Sequence, residues 1–337
     1  MRGILAAAAL AVLVMQTSPG AAQEAGFSIG FGGDYRHVDL PDLVGLGIVP
    51  PDGAGEGDRH FFDLDDENYF GFAEYVFAEG TFDQRFGSRV RLAFRADWLE
   101  SEGTSYAETR SGEDTARFIS LSGDFSGVYF CDFGPCVTKS DVELNYESRT
   151  LEIDAKSDFE FGRFVLTPSL GIKAGRSKLA YEYLQELLYT DVSGEDLPYD
   201  SGLTTGVIIG TKIDSWDAGI TGGLETRFDL TDHIALGVSG KFGLLYRTAD
   251  LWAYDEGLGS ISWLGAIEDE DGTFAVQAAP EVSLSLHNDG LAVTGFAGLQ
   301  FDSGVPQIEP SDGVEPAHLG FENALSYYAG AKLTGSF

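Results

Sequence analysis

Beyond its N-terminus this 337-residue chain has no stretch approaching the roughly 20 uninterrupted apolar residues that a membrane helix needs. Any passage through a bilayer must therefore be made by strands. Basic residues are scarce as well: 21 Lys and Arg stand against 54 Asp and Glu, a formal net charge of −33. Nucleic-acid binding calls for basic patches, and this balance disfavours it. There are only two cysteines, Cys131 and Cys136, in a segment with Gly134 and Pro135 and no histidine. That is too few ligands for a metal centre, and in an oxidising compartment the pair is expected to close a small disulfide loop. No Gly-rich phosphate loop joins a strand to a helix and no nucleophile elbow stands in a working context, so no cofactor is expected and the chain does not read as an enzyme.

What is present starts with a leader. Arg2, the apolar run Ile4 to Met15 and the small residues Gly20-Ala21-Ala22 read as a cleaved secretory signal over residues 1–22. A single mature domain over 23–337 is expected to follow.

Period-two alternation then recurs along the chain. From Arg89 to Trp98 it sets Val90, Leu92, Phe94, Ala96 and Trp98 on one face against Arg89, Arg91, Arg95 and Asp97 on the other. The same pattern runs from Ile234 to Tyr246, with Gly237, Ser239, Lys241 and Gly243 on the polar face. Further runs span 27–36, 69–77, 142–155, 164–183, 203–228, 274–286, 291–301 and 321–337. One face suits lipid and the other water, as in a transmembrane barrel.

The predicted fold is all-β: an antiparallel up-and-down transmembrane barrel of ten strands, or twelve if Ala116 to Phe130 also crosses. Read as an external hairpin, that segment leaves ten. Pro168 and Pro280 fall inside strands, where each costs a ladder hydrogen bond. In the fourth strand the apolar set changes from even (Val142, Leu144, Tyr146) to odd (Leu151, Ile153, Ala155), which predicts a bulge near Arg149.

Short links near residues 81–84, 159–163, 230–233 and 287–290 alternate with long ones over 41–66, 101–140, 184–202, 248–272 and 302–320, and most of the acidic excess lies in the long ones. This predicts short inner turns and long acidic external loops. Trp98, Tyr181, Trp216, Tyr246 and Phe274 are expected in an outer aromatic girdle, and Phe27, Phe164, Phe228 and Phe337 in an inner one. Lumen positions are expected to carry balanced charge, among them Arg89, Arg91, Arg95 and Lys241 facing Asp97, Glu74, Glu143, Glu147 and Glu281.

The chain ends with Leu325, Tyr327, Ala329, Ala331, Leu333, Gly335 and Phe337 on one face, a pattern that resembles the C-terminal assembly signal of bacterial outer-membrane barrels, with Gly335 in place of a bulkier residue. Together with the leader and the alternating strands and links, this makes the whole mature chain resemble a Gram-negative outer-membrane β-barrel. Ala218 to Leu245, with its turn at Leu230-Thr231-Asp232-His233, is similar to the porin-like major outer-membrane proteins of the Legionella type. The resemblance implies residence in the outer membrane, contact with its lipid and lipopolysaccharide, biogenesis through the barrel assembly machinery, and a passive pore or surface barrel without a cofactor.

Three functions follow from the residues. The first is a channel for small hydrophilic solutes or ions, from the polar, Gly-rich lumen face. The second is a structural or adhesive barrel acting through its acidic loops. The third is a surface hydrolase built on His60 with Asp58, Asp63, Asp65 and Asp66, which resembles the omptin proteases only in placing Asp and His at the outer mouth. The acidic runs Asp63 to Asn68 and Glu268 to Gly272 offer oxygen ligands to divalent cations but lack EF-hand spacing.

Overall fold

The computed structural model describes residues 26–38, 48–49, 69–83, 90–111, 115–119, 126–130, 136–189, 205–258, 264–288, 290–309 and 316–337, without the side chains of 38, 48–49, 69, 82–83, 103–140, 185–189, 205, 207, 258 and 264. Ten long strands form the wall. They are β1 (Phe27–Val38), β2 (Tyr69–Asp83), β3 (Val90–Ser111), β4 (Cys136–Ser157), β5 (Phe164–Tyr189), β6 (Thr205–Asp229), β7 (Ile234–Leu258), β8 (Leu264–Asn288), β9 (Leu291–Glu309) and β10 (His318–Ser336). Each pairs antiparallel with the next, and β1 pairs with β10, so the sheet closes on itself. The closing seam ends where Phe27 and Phe337 exchange backbone hydrogen bonds of 3.2 and 2.8 Å. Thr115–Ile119 and Ser126–Phe130 form the external hairpin expected, in a small separate sheet with Ile48–Val49, and the wall has ten strands rather than twelve.

Alternation decides what each face meets. Leu170, Ile172, Ile220, Val238, Val282 and Leu325 point outward and are about half exposed or more, and similar residues surround them on every strand. Such a continuous apolar surface far exceeds the few hundred Å² that a soluble monomer tolerates, so a hydrocarbon phase must cover it. Trp216, Tyr246 and Phe274 bound the belt on the side of the long connections, and Phe164, Phe228 and Phe337 bound it on the other. Tyr181, assigned above to the outer girdle, is instead buried inside the barrel.

Much of what the sequence presents as long loops is strand. β7 and β8 continue through 248–258 and 264–272, and β3, β4, β5 and β9 are likewise extended at their outer ends. The wall therefore rises well beyond the lipid. On β4 no bulge occurs: the ladders to β3 and β5 run through Arg149 without a register shift. Val142, Leu144 and Tyr146 point inward like Glu152 and Asp154, while Glu143, Glu147 and Arg149 point outward like Leu151 and Ile153. The faces never exchange; the medium outside them changes from lipid to water.

The prolines act as expected of residues without a backbone donor. The β4–β5 ladder stops at Lys156↔Ser169, one residue short of Pro168, and the β8–β9 ladder skips the rungs around Pro280. Glycines with positive φ turn the chain at Gly162 (66°) and Gly290 (82°). A third, Gly304 (84°), sits in a bulge at Ser303/Val305. There the β8–β9 ladder ends at Gln277↔Asp302, and among the described residues Leu264–Val276 is paired only with β7. Across this gap Ser303 Oγ accepts from the Val276 amide (2.7 Å), and the Asp269 carboxylate reaches to β10, where it accepts from the Leu319 amide (2.8 Å).

Candidate functional site: the barrel interior

At the level of the lipid belt the interior is polar. It holds a chamber of about 350 Å³ lined by Arg95, Asp97, Lys173, Glu225, Lys241 and Gln277, among others. Inward alternation on successive strands delivers these groups, and small residues such as Gly223, Ser169 and Ser239 leave room for them. Opposite charges pair across it. Lys241 on β7 reaches both Glu152 and Asp154 on β4 at 2.7 Å, three strands away around the wall, so the bridge crosses the lumen. Lys173 on β5 donates to Gln277 on β8 at 2.7 Å, a second crossing. Nearer the outer end Arg247 holds Asp302 (3.0 Å) and approaches Asp217 (3.8 Å), and donates to the bulge carbonyl of Gly304 (2.7 Å).

One side of the chamber is aromatic. Tyr75, Phe77, Phe296 and Tyr328 pack together inside the barrel. They fit because Gly30, Gly32 and Gly298 lie beneath the rings; a Cβ at any of the three would collide with Phe77, Tyr75 or Tyr328. Arg95 lies over the Tyr75 ring at 4.2 Å and Arg36 over Tyr328 at 5.0 Å, so the cations that line this wall rest on aromatic faces.

Above the chamber the interior is largely apolar, with Asp255 and Thr211 buried within it. Leu144 and Ile209 are each 1% exposed, and Val142, Tyr183, Ile213 and Leu251 are buried with them. Ala73, Leu99 and Tyr146 pack at the boundary between the two zones.

The structure places the predicted lumen residues in three groups. Arg91, Arg95, Asp97, Lys241 and Glu281 face inward. Arg95 binds Asp97 (2.7 Å), Arg91 binds Glu79 and Asp158 near the inner rim, and Glu281 accepts from the Tyr328 hydroxyl (3.4 Å). Glu143 and Glu147 do not line the lumen, and neither does Glu74. They point outward, and on β4 the misplacement came from assuming that the apolar set faces out along the whole strand. Arg89, Cys131 and the His60 segment lie outside the described residues, as does the Cys136 side chain. Phe337 closes the seam described above.

Sequence reasoning missed the aromatic cluster and the interior partners Lys173, Asp217 and Gln277 as a connected set, because period two gives a face and not the partner across a lumen. The acidic run 268–271 lies on strand β8 rather than in a loop: Glu268 and Glu270 point outward, and Asp269 is engaged with Leu319. Among the described residues no group of three or more His, Cys, Asp or Glu is arranged to hold a metal.

These features define a membrane-spanning, ten-stranded β-barrel of the outer-membrane type. No family model and no curated protein matches the chain. Among solved structures it is similar to the outer-membrane protease OmpT from Escherichia coli, at 11% identity and a TM-score of 0.41, covering 96% of this chain and 99% of that one. A major outer membrane protein from Thermus thermophilus gives 12% identity and 0.34, covering 94% and 100%. An outer membrane channel from Pseudomonas putida gives 9% and 0.32, covering 96% and 100%. The closed ladder and the outward apolar belt of this chain establish its fold without those likenesses.

Proposed function

We propose that this barrel resides in the outer membrane of a Gram-negative bacterium and is a narrow, non-enzymatic channel for small hydrophilic solutes or ions. The observation that carries the reading is the charged chamber of about 350 Å³ at the level of the lipid belt. A barrel serving only as an anchor has no need to keep water-sized polar space inside its membrane zone, where packed apolar residues would be more stabilising. The resemblance of Ala218 to Leu245 to the Legionella-type porin-like proteins supports the same reading. The transverse bridge from Lys241 to Glu152 and Asp154 sets the width of the path.

A second reading, a closed structural or adhesive barrel, is favoured by the buried apolar zone above the chamber. Single-channel recording in planar bilayers separates the two. A channel is expected to give small discrete steps, and Lys241→Ser is expected to enlarge them and shift preference toward cations, since a fixed positive charge is lost. Silence from both the wild type and Lys241→Ser at high protein load would leave the closed barrel as the function.

A further inference from the structure

One carboxylate of the wall stands where hydrocarbon should meet only apolar groups. The outward positions of β2 are Phe70, Phe72, Glu74, Val76 and Ala78, since Ala73, Tyr75 and Phe77 point into the barrel. Glu74 therefore faces the lipid, directly opposite Gly33 on β1 and Trp98 on β3. Among the described residues it forms no hydrogen bond or ion pair. The nearest charged side chains on the same face are Glu100, diagonal to it on β3, and Arg149, two strands away and held by Glu147 at 3.4 Å.

The ladders fix its depth. Followed rung by rung, its row descends through Gly33, Ala331, Gly295 and Leu284 to Leu236 on β7. In the other direction it climbs through Trp98, Arg149, Arg176 and Trp216 to Thr248 on the same strand. Five crossings lie on either side, so Glu74 stands level with Phe242, midway between those two residues of β7 and 55% exposed on the lipid face. An ionisable side chain at that depth is costly and is kept where a protein partner covers it.

The surface around Glu74 is its own complement. The row climbs twelve residues of β7 in ten crossings, so the two crossings from β1 to β3 climb about two residues, one position on the same face. Gly33 is thus level with Ala96, Tyr35 with Trp98, and His37 with Glu100. On the β1 side the surface is raised: the Phe72 ring lies over Gly33, where a Cβ would come within 2.5 Å of it, and the His37 imidazole is held flat against Tyr327 at 4.5 Å. On the β3 side the small Ala96 leaves a hollow at the height of that ring. A two-fold axis along the membrane normal through β2 sets β1 of one copy against β3 of the other. It brings the Phe72 ring to the Ala96 hollow, His37 to Glu100, and the two Glu74 carboxyls together, where one shared proton joins them.

We infer that the β1–β3 wall is the interface of a symmetric dimer within the membrane, its occupant a second copy of this chain and Glu74 its polar contact. A different membrane protein has to supply a cation for Glu74 and a matching relief, whereas a second copy brings ring, hollow, base and acid already in register. Small residues and a polar group at mid-membrane are what intramembrane protein contacts use. The interface does not depend on whether the lumen conducts.

The test counts subunits by single-molecule photobleaching of the full chain, one fluorophore per copy, in dilute phosphatidylcholine vesicles. The wild type is expected to bleach in two steps. Ala96→Phe fills the hollow with an apolar group that lipid accepts and should weaken the dimer about tenfold or more. Glu74→Leu should weaken it as well, while Glu74→Gln keeps it, since two amides can pair as the two carboxyls do. Gly240→Phe, mid-membrane on the opposite wall with open space around its Cβ position, should change nothing. A monomeric wild type overturns the inference, and so does an Ala96→Phe or Glu74→Leu variant that dimerises as the wild type does. Loss of the dimer in Gly240→Phe overturns it too, by moving the contact to β7. If Ala96→Phe fails to fold, Glu74→Leu decides, because it takes a carboxylate out of lipid and does not burden the monomer.

Discussion

The lower and upper barrel are built from the same strands with opposite chemistry. Within the lipid belt the wall is apolar outside and charged inside. Beyond it the outward positions become Glu143, Glu147, Asp250 and Glu268, and the inward ones become Leu144, Ile209 and Leu251. β4 passes through both regimes without a register shift. The difference shows that a β-strand carries two faces and no label saying which is inside. The label comes from the medium: lipid accepts apolar side chains, and water outside the membrane rejects them, so the upper barrel buries its apolar set as a soluble domain does.

The sharpest way to break this contrast is to place a carboxylate on the inward face of the upper barrel. Ile209→Asp and Leu251→Asp bury an unpaired charge and are expected to cost about 5 kcal/mol, enough to prevent stable folding. Trp252→Asp, one residue along β7 and facing outward, should cost within about 1 kcal/mol. Urea unfolding of refolded protein in lipid vesicles reads both, and equal losses would mean that the upper interior is not a packed core.

In the lower barrel the sign should reverse. Phe94→Arg and Val238→Arg put a cation against lipid at a cost of roughly 2 to 4 kcal/mol. Ser239→Arg, which faces the chamber beside Lys241, should be tolerated better. The same assay checks this, and a Ser239→Arg loss as large as that of Val238→Arg would place the belt on the wrong face.

The smallest effect is expected at the transverse bridge. Lys241→Met leaves Glu152 and Asp154 without their cation. The lysine side chain is about a third exposed to the chamber, so the loss should be about 1 to 3 kcal/mol rather than the larger figure for a sealed pair. Adding Glu152→Gln and Asp154→Asn should recover most of it. A triple variant no more stable than Lys241→Met would show that the bridge is not what the substitution disrupts.

Much of this fold is legible in the residues themselves. All ten strands, the closing seam, the hairpin within 115–130 and the ladder breaks at the two prolines follow from period two and from turn and proline chemistry. The outward faces of β3 and β7 at lipid level follow too, because there polarity and burial agree. Glu143, Glu147 and Tyr181 did not, because each lies beyond the lipid, where an apolar face points inward and the assumption that apolar means outward fails. The interior network was only partly legible. Arg95 and Asp97 are two residues apart on one strand, but Lys241 meets Glu152 and Asp154 only through closure of the barrel, and no local pattern records it.

A closed barrel behaves mechanically as a hoop, each strand braced by two neighbours. Above Gln277, among the described residues, no backbone ladder joins β8 to β9; Ser303 on β9 holds the Val276 amide, and Asp269 holds the Leu319 amide on β10. Strand edges of this kind invite pairing with another chain. Glu268, Glu270 and Asp271 stand on this exposed stretch of β8, and a second copy brought edge to edge would meet the same three charges. The acidic run that reads in the sequence as a source of cation ligands thus also lines the edge that is unpaired among the described residues, where like charges repel a second copy.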